Sequence, residues 1–178
     1  MKLSNKKLAN PFIYQGYESP EYFCDREAET ATLLSHLKNG RNVTLISPRR
    51  IGKTGLIKNT FFYLQEEERD AVCLYLDIFA TKNLHDFVEL LGVMVINDIV
   101  RKNASFIEKT IAFFSALRPV LSMDPLTGEP SVSITVEPTQ EEITIRSIFN
   151  YLNKSGKEIY IAIDEFQHHR SVGKLLWS

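Results

Sequence analysis

Ser47-Pro48-Arg49-Arg50-Ile51-Gly52-Lys53-Thr54 is the stretch on which the fold turns. Ahead of it, the apolar run at Val43, Leu45 and Ile46 reads as a short buried strand over 42–47. Behind it, Leu56, Ile57, Thr60, Phe61 and Leu64 recur at helical spacing, which predicts a helix over about 53–68. A strand, a turn and a helix in that order aim successive backbone N–H groups and the positive end of a helix at one point, where a polyphosphate can sit. Gly52 would let the backbone approach the phosphates, Lys53 would reach the β- and γ-phosphates, and the Thr54 hydroxyl would be a ligand of Mg²⁺. Ser47, Pro48, Arg49, Arg50 and Ile51 complete the candidate nucleotide-binding loop. The pattern G-x-x-x-x-G-K-[ST] is met except at its first position, where Ser47 stands for glycine.

A Gly-Lys-[Ser/Thr] triplet arises by chance in a chain of this length about one time in ten, so the loop needs a companion. It has one in Ile159-Tyr160-Ile161-Ala162-Ile163-Asp164-Glu165. An aspartate at the carboxyl end of a buried strand lies in the crevice where α/β sheets bind ligands. There Asp164 can hold a Mg²⁺ shell, and Glu165 can orient or deprotonate a water for attack on a γ-phosphate. Lys53 and Glu165 are therefore the candidate catalytic residues, and Thr54 and Asp164 the candidate metal ligands.

Outward from these motifs, the chain alternates strands and helices. A helix from Asp25, with that aspartate as its cap and Gly40 as its stop, precedes the loop. The run 72–79 is a second apolar strand. A helix over about 84–100 starts at an Asn83 cap, and another covers about 105–117. The region 120–136 reads as a hairpin, because Val132, Ile134 and Val136 alternate with polar residues and Asp124-Pro125 and Thr127-Gly128 supply turns. Thr139 with Glu142 makes a capping box for a further helix that Gly156 ends. Strands separated by helices, with two-sided apolar runs, imply a parallel sheet covered on both faces, so the fold class is α/β. Residues 1–22 form an aromatic-rich extended arm without sustained period, and no linker divides 23–178.

The 178 residues are 44% hydrophobic and 24% charged, which is globular composition, and 21 Lys+Arg against 22 Asp+Glu give a net charge of -1. Net charge therefore offers no support for nucleic acid as a partner. Arg49 and Arg50 could touch DNA or another subunit, or serve as solvated loop tips and internal ion pairs. Two cysteines, Cys24 and Cys73, suit a reducing compartment, and no apolar run approaches the roughly 18 residues of a membrane span, so the expectation is a cytoplasmic protein. His168-His169 lacks cysteine or carboxylate companions at ligand spacing and reads as a solvated pair.

The loop, the upstream Tyr22-Phe23-Cys24-Asp25-Arg26-Glu27 and the downstream Ile-Ala-Ile-Asp-Glu-Phe-Gln together resemble the P-loop ATPases of the AAA+/STAND-like archaeal ATPase group, also common in bacteria. The resemblance covers about residues 10 to 167. It implies a P-loop NTPase three-layer sandwich with a helical and β-hairpin insertion. It also implies ATP with Mg²⁺, Asp164 as the Walker B metal residue and Glu165 as the catalytic glutamate. Phe23 and Arg26 would lie near the adenine; read from the residues alone, the same element is equally a capped surface helix with a stapling aromatic. The strand order implied is 5-1-4-3-2, and the 13 residues after Glu165 are too few for the strand between the Walker B and P-loop strands, a sensor and an arginine finger. The expectation is thus the N-terminal part of a larger ATPase, incomplete after the Walker B strand. It has an unpaired strand edge at 43–46, and the finger would come from a homo-oligomer or a protein partner. Two functions stay open: an ATP-hydrolysing domain, or a nucleotide-binding module without turnover.

Overall fold

The computed structural model describes residues 16–48, 50–102, 120–123, 130–136 and 140–166, which fall in two compact units, 1–69 and 70–178. The predicted helix over 105–117 and the pair His168-His169 lie outside the described residues.

The first unit is built on two helices, α1 (Glu27–Lys38) and α2 (Lys53–Glu67), preceded by a single 3₁₀ turn at Pro20–Tyr22. The two helices run in the same direction. Near their starts the Asn59 amide of α2 donates to Thr30 Oγ1 of α1 at 3.2 Å, and near their ends Lys38 pairs with Glu67. Leu33, Leu56 and Leu64 are buried between them together with Thr30, Asn59 and Thr60. These buried polar groups are bonded, as burial requires: Thr60 Oγ1 donates to the Leu56 carbonyl at 2.8 Å, and Tyr17 Oη donates to Asn59 Oδ1 at 3.0 Å.

The ends of α1 show one expectation met and one overturned. Gly40, at φ 67°, stops the helix; its N–H bonds to the Leu37 carbonyl and that of Arg41 to the His36 carbonyl, the paired bonds of a Schellman end. Asp25 does not cap the start. The cap position is Arg26 with no side-chain bond, and Asp25 sits one residue earlier at φ 62°, a conformation that turns the chain into the helix from the left-handed region.

The second unit holds a parallel pair, β1 (Val72–Asp77) and β4 (Ile159–Asp164), with Val72 opposite Ile159 and Asp77 opposite Asp164. Between them in sequence come α3 (Leu84–Lys102), the antiparallel hairpin β2 (Val120–Met123) and β3 (Pro130–Ser133), and α4 (Glu141–Lys154). Val72, Leu74, Leu76 and Ile78 point to one side and are buried with Phe87, Val88, Leu91, Val95 and Ile96 of α3, Ile134 and Val136, and Ile145, Ile148 and Leu152 of α4. Ile159, Ile161 and Ile163 of β4 pack against the same core and are partly exposed. Side chains alternate across a strand, so Cys73, Tyr75 and Asp77 share the opposite face with Tyr160, Ala162 and Asp164.

Helix α3 starts as expected: Asp86 N–H donates to Asn83 Oδ1 at 2.9 Å, and Asp86 Oδ2 reaches back to the Lys82 N–H at 2.8 Å. Helix α4 differs. Its cap position is Gln140 without a side-chain bond, so the helix begins one residue beyond the start that a Thr139–Glu142 capping box requires; Thr139 lies outside the described residues. His85 bridges the starts of the two helices, with Nε2 3.2 Å from Glu89 Oε1 and Nδ1 3.8 Å from Glu141 Oε1. Glu89 Oε1 also accepts from the Val136 N–H at 3.2 Å, tying the end of the hairpin to α3.

Among the described residues, no helix is long and apolar enough to cross a membrane. The α/β class holds, and the parallel pair is the one whose sequences read as buried strands. The strand expected at 42–47 is absent: residues 41–48 carry no regular structure, Val43 and Leu45 are exposed, and Ile46 is 92% exposed. A β-branched apolar run becomes a strand only when a neighbour takes up its N–H and C=O groups. Among the described residues neither sheet includes this segment.

Candidate nucleotide-binding site

The loop after residue 46 nevertheless delivers a helix start where the sequence places it. Gly52, at φ 71°, occupies the cap position of α2, and its carbonyl accepts the first helical bond from Leu56 N–H at 2.9 Å. A β-carbon would be strained at that φ, which accounts for glycine here. The cap supplies no side-chain acceptor, and the first turn carries no acidic residue, so α2 keeps the positive character of its N-terminal end. Arg50 takes φ 64° two residues earlier, which curls the backbone over 50–52. Arg49 lies outside the described residues.

Lys53 folds back across this curl. Its ammonium donates to the Ser47 carbonyl at 3.1 Å and the Pro48 carbonyl at 3.3 Å, and Ser47 Oγ donates to the Pro48 carbonyl in a long bond of 3.4 Å. A point charge with three donors is thus parked over the mouth of the loop on neutral acceptors. Phosphate oxygens would make stronger, charge-assisted bonds to the same ammonium. Thr54 follows on the first turn of α2.

The upstream aromatic-arginine element is brought to the loop and to α2 within the same unit. Arg26 Nη2 donates to the Ile51 carbonyl at 2.6 Å, and Arg26 Nη1 lies 3.3 Å from Glu29 Oε1. The Phe23 ring packs on the helix at Gly55, so closely that a β-carbon there would fall 2.8 Å from Phe23 Cε2. Tyr17 meets Phe23 edge-on, with ring centroids 5.8 Å apart, and its hydroxyl is anchored on Asn59. Burial, with a smaller contribution from Tyr63, pushes the Tyr17 phenol up to about 12 from its ordinary 10.0. Phe23 is therefore a packing partner of α2. The sequence does not mark Tyr17 as part of the site; for Gly55 the signal of close packing is a glycine inside a helix, at a cost of about 1 kcal/mol relative to alanine.

In the second unit the acidic motif closes β4. Asp164 Oδ2 accepts from Tyr75 Oη at 2.6 Å and Oδ1 from the Glu165 N–H at 2.9 Å, while its main-chain carbonyl takes Ile78 N–H at 3.3 Å. Glu165 turns out of the strand at φ 58°. Asp77, level with Asp164 on β1, spends Oδ1 on the Phe79 N–H at 3.0 Å and so closes its own turn. The non-glycine residues at positive φ among the described ones are Asp25, Arg50 and Glu165, one in each of the three motifs singled out from sequence. Backbone held in sparsely populated regions gathers at functional sites.

Residues 23–177 match the model of a family described as an ATPase domain predominantly from Archaea. The chain belongs to this family. The match starts at Phe23 and takes in the loop, the parallel pair and the acidic motif, so the chain is a nucleotide-binding domain of the ATPase class. No curated protein and no solved structure gives a significant match.

Proposed function

We propose that this archaeal-type ATPase domain binds ATP with Mg²⁺ through Ser47, Pro48, Arg49, Arg50, Ile51, Gly52, Lys53 and Thr54, and that Asp164 and Glu165 serve the metal and the attacking water. The observation that carries the reading is the loop: Gly52 in the left-handed region opens an uncapped α2, with Lys53 laid over the mouth. That arrangement offers main-chain donors, a helix end and an ammonium to one polyanion.

Mg²⁺ fits the donors at hand. It prefers hard oxygen ligands and is commonly held by one or two carboxylates together with substrate phosphates. The Thr54 hydroxyl and the Asp164 carboxylate are such donors, and among the described residues no group of three metal-ligating side chains is assembled. When bound, the ion would neutralise charge on the phosphates. Lys53 would add a second positive charge, and Glu165 would accept the proton of a water aligned on the γ-phosphate. Phe23 and Arg26 would stand beside the base. The domain would hydrolyse ATP, with an arginine supplied by a second copy or a protein partner. The second reading, binding without turnover, draws on the 43–46 segment, which joins neither sheet among the described residues, because a loop without a strand to anchor it holds phosphates with less precision. Domain limits of 23–178 and a cytoplasmic location, in keeping with the free thiols Cys24 and Cys73, belong to the same proposal.

Thermal denaturation with and without Mg·ATP tests it. A ligand at a hundredfold over its Kd adds about 2.7 kcal/mol to the native state, and Lys53→Ala should remove most of that gain. A folded wild-type chain whose melting temperature ignores Mg·ATP would refute the proposal.

A further inference from the structure

The second unit carries a contact that neither the two sequence motifs nor the family match assigns: the hydroxyl of Tyr75 on Asp164. At 2.6 Å this is a short O–H···O bond of the charge-assisted kind. Its geometry follows from the sheet. Tyr75 is directly opposite Ala162, and Asp164 lies two residues further along β4 on the same face. Ala162 presents only a methyl group there, which leaves the phenol room to lean along the neighbouring strand toward Asp164. The nearer acid in register, Asp77, is exposed and closes its own turn with Phe79. The Tyr75 phenol is half-buried, so its bond is less diluted by water than a surface bond would be.

We propose that Tyr75 is the positioning residue of the metal-binding carboxylate: by holding Oδ2, while the Glu165 N–H holds Oδ1, it fixes the plane of the Asp164 carboxylate in the orientation that serves Mg²⁺. The proposal rests on the reading of Asp164 given above. Partners that orient a ligating group set metal affinity, and losing one typically weakens it about 10–100-fold. Tyr75 does not touch nucleotide on this account, so its contribution is confined to binding that depends on the metal.

The test is ATP affinity measured by titration in Mg²⁺ and in EDTA for the wild type, Tyr75→Phe and Asp164→Asn. Phenylalanine keeps the ring and removes only the donor. The expected result is that Mg²⁺ tightens ATP binding by the wild type, and that Tyr75→Phe loses at least tenfold of that tightening while its affinity in EDTA stays within twofold. Asp164→Asn should show the same selective loss. Tyr75→Phe that retains the Mg²⁺ effect within twofold, beside an Asp164→Asn that loses it, overturns the proposal and leaves the reading of Asp164 standing. Equal weakening in Mg²⁺ and EDTA marks Tyr75 as a structural residue and also overturns it. If Asp164→Asn keeps the Mg²⁺ effect, or the wild type shows none, the reading of Asp164 falls and this proposal with it.

Discussion

Replacing Gly55 by alanine sets two opposing effects against each other, and the structure decides between them. In an exposed helix the change would stabilise by about 1 kcal/mol, because alanine is the better helix former. Here the new β-carbon would lie 2.8 Å from Phe23 Cε2, where ordinary contact begins at 3.4 Å, so the ring must retreat by the difference of 0.6 Å. Overpacking of this kind costs about 1–3 kcal/mol, and the Tyr17–Phe23 edge contact, worth about 0.5–1.5 kcal/mol, is disturbed as well. The net expectation is destabilisation by about 1–2 kcal/mol. In a chain of this length that lowers the melting temperature by about 2–8 °C. The sign should reverse when Phe23 is absent: in a Phe23→Ala background, Gly55→Ala should stabilise by about 1 kcal/mol. Thermal melts of the four proteins of this cycle give the coupling energy directly. Stabilisation by Gly55→Ala in the wild-type background, or no coupling to Phe23, would show that the ring does not rest on α2 and would detach the aromatic element from the loop.

Glu165→Gln should keep ATP binding and lose turnover, since it retains the size and hydrogen bonding of the side chain without the base; equal turnover in a phosphate-release assay would remove Glu165 from catalysis. Glu165→Gly should also lose turnover but raise stability by about 1 kcal/mol through relief of φ 58°, and a denaturant melt showing destabilisation would contradict that strain. Tyr17, pushed up to about 12, makes stability fall as pH rises from 10 toward 12, because the unfolded chain gives up the phenolic proton before the folded one does. Tyr17→Phe should flatten that part of the pH profile, and an unchanged slope would sink the assignment. Ile46, 92% exposed in an apolar segment that joins neither sheet among the described residues, should promote self-association. Ile46→Lys should reduce light scattering without lowering the melting temperature, and unchanged scattering would place the association elsewhere.

Local pattern made much of the fold readable. α2, β1, α3 and β4 lie within a few residues of where periodicity and apolar runs put them, and Asn83 and Gly40 bound helices for the reasons their side chains suggest. The segment 43–46 misled because strand formation depends on a neighbour, and Val-Thr-Leu-Ile says nothing about whether one is there. Asp25 misled because a short acidic side chain suits a left-handed turn as well as a cap. In the candidate site, Gly52 and Lys53 were legible from their order alone. Phe23 on Gly55, Tyr17 on Asn59 and Tyr75 on Asp164 were not, because each joins residues far apart in the chain and depends on packing or strand register.

The central claim is that the 47–54 loop is a site for the phosphates of ATP, and calorimetric titration of Mg·ATP into the wild type and Lys53→Ala tests it most directly. The account predicts saturable one-to-one binding by the wild type and at least tenfold weaker binding by a Lys53→Ala chain that melts like the wild type. Equal affinity in the two proteins, or no heat of binding with a folded wild type, would contradict it.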